Sequence, residues 1–97
     1  MSEEEIFEKY MENPHWKKEY EEAPSDLCKK YLREGYIASG LAWFKVGDAI
    51  QHKNAWKRAE TYRKQFDKDD WEYIINHAGT GIAKAELTKQ MKKALGD

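Results

Sequence analysis

Residues 35–46, GYIASGLAWFKV, form the one long apolar run in a 97-residue chain of which 36% of positions are charged. No other stretch offers comparable apolar surface to withdraw from water, so this run is expected at the buried centre of the fold. Leu41 and Phe44 are the expected heart of that centre, with Ile37 beside them. Ser39 and Lys45 interrupt the run, which falls short of the roughly 18–20 apolar residues that span a bilayer. Gly47 suits a helix C-cap, and Asp48 with Gln51 has the spacing of a capping box for the next helix.

Helical periodicity runs through the rest of the chain. Ser2 and Glu5 fit a capping box ahead of Ile6, Phe7, Tyr10 and Met11. Asn13-Pro14 closes that helix and opens another, because Asn caps well and Pro is tolerated in a first turn. Ser25 or Asp26 caps a helix carrying Leu27, Cys28, Tyr31 and Leu32. The residues leave open whether it stops at Gly35 or continues through the apolar run, since Gly costs only about 1 kcal/mol inside a helix.

Over about 54–66, Ala55, Ala59, Tyr62 and Phe66 share one face, opposite Lys53, Lys57, Lys64 and Lys68. Residues 67–70 supply caps for a short helix with Trp71, Ile74, Ile75 and Ala78 aligned. Gly79, Thr80 and Gly81 break it, and a last helix follows with Ala83, Leu87, Met91 and Ala94 inward. No segment alternates in the manner of a strand. The expected fold is all-α: one domain of five or six short helices, with a central apolar helix at about 37–46 and a helical hairpin over about 36–66. Residues 1–24 are expected as an acidic helical arm and 25–95 as the core.

Composition narrows the cellular setting. A 13% aromatic content distinguishes the chain from a disordered one of similar charge. The acidic start, MSEEEIFEKY, lacks the basic and apolar segments of a signal peptide. Cys28 has no cysteine to pair with. A soluble cytoplasmic protein is therefore expected, with no membrane contact and Cys28 as a small core residue.

Charge is unevenly placed. Residues 1–26 hold nine acids against three lysines, a balance of −6, while residues 53–68 hold six cations against two acids, a balance of +4. These are either solvated helix faces that meet one another or, in the sharper reading, a basic docking surface.

The spacing of Tyr36, Gly40, Trp43, Trp56 and Ala59 resembles the aromatic and small-residue pattern of a tetratricopeptide repeat, with Gly47-Asp48 at the turn. The resemblance covers about a third of the chain and has no second copy. Ser39, His52 and Lys64 depart from the pattern. It implies a helical hairpin and, by analogy with that family, peptide binding.

No chemistry of catalysis is written in the chain. His15, His52 and His77 are too widely spaced for zinc, and Asp67, Asp69 and Asp70 lack the glycine and distal Glu of a calcium loop. Gly-rich phosphate loops and nucleophile elbows are absent. The expectation is a non-enzymatic interaction or regulatory module, with no cofactor or metal, that binds a protein partner or itself. Candidate contacts are Lys53, Lys57, Lys64, Lys68, Trp16 and Tyr20. The alternative is a DNA-binding regulator using a helix-turn-helix-like pair at about 70–95, with Lys84, Lys89, Lys92 and Lys93 on its second helix. An isoelectric point near 6.3 weighs against that alternative.

Overall fold

Each of the first five helices starts at a side-chain cap that the sequence supplies. The computed structural model describes residues 1–77 and 81–96. Ser2 and Glu5 close a reciprocal capping box on α1 (Glu3–Glu12). Asn13 ends α1 and, through its side chain, caps α2 (Pro14–Glu21). Ser25 caps α3 (Asp26–Trp43), and Asp48 caps α4 (Ala49–Arg63) by accepting from the Gln51 N–H. Asp67 and Asp70 form a second reciprocal box on α5 (Lys68–Asn76). The last helix, α6 (Gly81–Leu95), runs into Gly96 at φ +83°. Among the described residues there are six helices and no strand. The expected break at Gly79 and Thr80, with Ala78 and the Ala83 side chain, lies outside the described residues.

The apolar run is not a separate central helix over 37–46. It forms the second half of α3, which passes unbroken through Gly35. The helix ends at Trp43 because Lys45 enters the left-handed region at φ +56°. The Lys45 N–H then donates to the Ala42 carbonyl and the Val46 N–H to the Leu41 carbonyl, the bond pair of a Schellman end. Gly47, the expected C-cap, also has positive φ but sits in the turn beyond. Phe44 is corrected too. It occupies the helix C-cap and is 36% exposed, because the helix stops there and the ring lines a surface groove.

The α3 helix is the spine. Ile37, Ala38 and Leu41 pack against Ile6 of α1 and Ala55 of α4 in one fully buried cluster. Further toward its N-terminus, Cys28, Leu32 and Tyr36 meet Phe66, Trp71 and Ile74 in a second. Leu87 and Met91 of α6 are half-buried against that second cluster. The acidic N-terminal segment is built into the core through Ile6, and its acids meet cations of the spine and of α4. Glu3 accepts from Arg58 Nη2 at 3.0 Å, and Arg58 Nε donates to the buried Glu34 carboxylate at 2.8 Å. Arg33 pairs with Glu4.

Two glycines in α3 have opposite roles. A Cβ at Gly40 would overlap Ile6 Cγ2, a branched atom of a fully buried side chain, whereas nothing lies near the same position on Gly35. Gly35→Ala is expected to raise stability by about 0.5–1 kcal/mol through helix propensity. Gly40→Ala should lower it by about 1–2 kcal/mol, since overpacking outweighs the same propensity gain. Urea denaturation of both variants measures the signs. A Gly40→Ala protein as stable as the parent would mean that α1 is not seated on α3 at this point.

Buried polar groups join the helices beneath the surface. The Tyr36 hydroxyl donates to Glu19 Oε1 and the Tyr73 hydroxyl to the Glu19 carbonyl, both at 2.6 Å. Desolvation pushes the Cys28 thiol up to about 12, with nearby Asp70 and Glu19 adding to the rise. Desolvation, followed by the Glu19 charge, raises Tyr73 to about 12 as well. Both groups hold their protons more tightly folded than unfolded, so the unfolded chain ionises first. Stability should therefore fall as pH rises from about 9 toward 12. A denaturation midpoint that stays flat over that range would contradict the burial of Cys28 and the partial burial of Tyr73.

Candidate interaction surface

The α1–α2 corner and the end of α3 frame an aromatic groove. Tyr10 lies near the end of α1, Asn13 is the corner residue, and Pro14 starts α2 so that Trp16 emerges in its first turn. The Tyr10 ring stacks on buried Tyr36 with centroids 5.0 Å apart, and Trp16 lies 5.8 Å from Tyr10 and 5.6 Å from Tyr36. Trp43 follows Tyr36 by seven residues, nearly two helical turns, and so continues the same side of α3. Tyr36 is covered, but Trp43 is 79% exposed. Lys9, Tyr10, Asn13, Trp16, Trp43 and Phe44 together line a groove of about 410 Å³. Burial alone raises the Tyr10 hydroxyl pKa above its ordinary value, so the groove presents a neutral phenol, two large indoles and one lysine.

The sequence candidates fall in different places. Trp16 is in the groove, while Tyr20 packs edge-on against Phe7 at 5.2 Å and is half-buried at the core margin. Lys53 and Lys57 are exposed on α4. Lys64 is exposed at the C-cap of α4, and Lys68 opens α5, where it faces Glu72 at 3.8 Å. The lysine stripe is thus divided between two helices. Arg58, counted with the basic segment, turns inward to Glu34 and Glu3 instead. On α6, Lys84, Lys89, Lys92 and Lys93 are all exposed.

Sequence reasoning passed over Trp43 and Phe44 as contact residues. Their apolar character pointed to the core, and only the early helix end at Lys45 would have signalled otherwise.

The hairpin implied by the repeat resemblance is present as α3 and α4. Its packing differs from that pattern, because the open side of Gly40 meets α1, and both Trp43 and Trp56 are exposed. Comparison with protein-family models, with curated proteins and with solved structures finds no match.

Among the described residues, no three His, Cys, Asp or Glu side chains gather as a metal site, and no helix is long and apolar enough to cross a membrane. His52 Nε2 lies 3.1 Å from the Val46 carbonyl, and His77 Nδ1 2.8 Å from that of Tyr73, so both rings serve local backbone.

Proposed function

We propose that this chain is a small, non-enzymatic, cytoplasmic interaction module whose aromatic groove binds an apolar, acid-flanked segment of a protein partner. The observation that carries the reading is Trp43, almost wholly exposed beside Phe44, Trp16 and Tyr10. Large aromatic side chains dominate the energetics of protein interfaces, and four of them meeting at one groove form a natural anchor site. Lys9 in the groove lining favours an acidic residue beside the partner's apolar anchor.

Selection of a random peptide library on the immobilised protein tests this reading. Enriched peptides should combine an aromatic or aliphatic anchor with Asp or Glu. Trp43→Ala should weaken the selected peptides by at least about 2 kcal/mol, roughly thirtyfold, with helix content retained. Enriched peptides without acids, or affinities indifferent to Trp43→Ala, would overturn it. Concentration-dependent self-association that Trp43→Ala abolishes would reassign the groove to a second copy of the chain. The DNA alternative draws on the four exposed lysines of α6. It requires salt-sensitive duplex binding at about 50 mM salt that is lost when Lys84, Lys89, Lys92 and Lys93 become Gln.

A further inference from the structure

A second groove, of about 540 Å³, lies between α4, α5 and α6 and is lined by Glu60, Arg63, Lys64, Trp71, Gln90 and Lys93, with Ala94 at its edge. It brings together cations that the sequence had assigned to separate readings, Lys64 from the α4 stripe and Lys93 from α6. Three cations face one carboxylate, a net charge of +2 along the lining. Each cation sits near the end of its helix, where the dipole contributes roughly half a negative charge. Two such ends still leave the groove positive.

Among the described residues none of Arg63, Lys64 and Lys93 forms an ion pair. Arg63 is held in place by its guanidinium lying over the Tyr31 ring, 5.9 Å from the centroid. The Gln90 amide nitrogen donates to Glu86 at 3.2 Å, which orients the side chain. Trp71 touches the groove from the core side and is 2% exposed. Its indole N–H is the one buried side-chain polar atom without a hydrogen-bond partner among the described residues. That nitrogen lies beneath the lining, so the charge of the groove comes from Arg63, Lys64, Lys93 and Glu60.

We infer that this groove is a binding site for a small phosphorylated molecule, its phosphate held between Arg63, Lys64 and Lys93 and its body along the groove toward Gln90. A phosphate monoester carries close to two negative charges near neutral pH and three terminal oxygens, which suits separate donors on two helices. A carboxylate, with two oxygens and one charge, is matched by a single guanidinium. The volume lies within the roughly 300–1,000 Å³ of small-molecule pockets and accommodates a sugar phosphate or mononucleotide.

Two-dimensional ¹⁵N NMR titration of the full chain tests the site, with ribose 5-phosphate, adenosine 5′-monophosphate and adenosine as probes. The two phosphates should produce saturable shifts at Arg63, Lys64, Lys93 and the Trp71 indole N–H, with a Kd below about 1 mM, and adenosine should produce none. Arg63→Gln and Lys93→Gln should each weaken binding about tenfold with unchanged circular dichroism, while Lys53→Gln leaves it intact. The inference fails if the phosphates give no saturable shift, or if shifts spread equally over Lys53, Lys57 and Lys89. It also fails if the Gln variants bind like the parent. Binding of duplex DNA or of an acidic peptide at these residues, without binding of either small phosphate, would replace it with a macromolecular site.

Discussion

Leu41→Ala should destabilise the protein by about 2–5 kcal/mol, whereas Phe44→Ala, three residues further on, should cost no more than about 2 kcal/mol. Leu41 is fully buried between Ile6, Ile37 and Ala55, so truncating it leaves a cavity lined by three helices that cannot all close on it. The Phe44 ring lines the surface groove and already meets water over part of its area. A domain of this size has only about 5–15 kcal/mol of stability, so the Leu41 variant approaches unfolding at physiological temperature. Melting curves followed by circular dichroism separate the two. Equal losses would place Phe44 in the core and close the aromatic groove on which the proposed function rests.

Asp70→Ala is expected to cost about 2–4 kcal/mol, a large effect for one carboxylate on a nine-residue helix. Asp70 is buried and performs two tasks at once. Its Oδ2 accepts from the Asp67 N–H to complete the α5 capping box, and its Oδ1 accepts from the Ser25 hydroxyl at 2.6 Å. Ser25 itself caps α3, so one side chain ties the N-termini of α3 and α5 together. Asp70→Asn keeps an acceptor oxygen in place and should recover about half of the loss. If Asp70→Ala melted like the parent, the tie between these two helices would contribute nothing, and Trp71 would have to be held by packing alone.

Helix starts were legible because a cap is a local event. Ser2 with Glu5, Asn13 before Pro14, Ser25 and Asp67 each act on a backbone N–H two or three residues away, within reach of sequence spacing. The inward faces of α4 and α5 were legible for a related reason. Ala55, Ala59, Ile74 and Ile75 repeat at the helical period and lie where that period puts them. Helix ends were harder. The stop after Trp43 needs Lys45 in a conformation that lysine rarely adopts, and a glycine two residues later offered the more favourable reading.

The sequence by itself determined the helical class, most of the caps and which faces of the short helices turn inward, because propensity, capping and periodicity act over four residues or fewer. Tertiary structure alone decided the rest. Gly35 stays helical because the residues on either side of it are buried by α1 and α4, and Gly40 is required because Ile6 of a distant helix rests on it. Trp43 and Phe44 are exposed because no helix covers the end of α3, although their apolar character matches that of Leu41. Lys64 and Lys93, 29 positions apart, line one groove only because α6 packs on α5 and so comes opposite the end of α4. Which apolar side chains are covered, and which charges converge, depends on the distances between helices, and those arise from packing across the whole chain rather than from any local spacing.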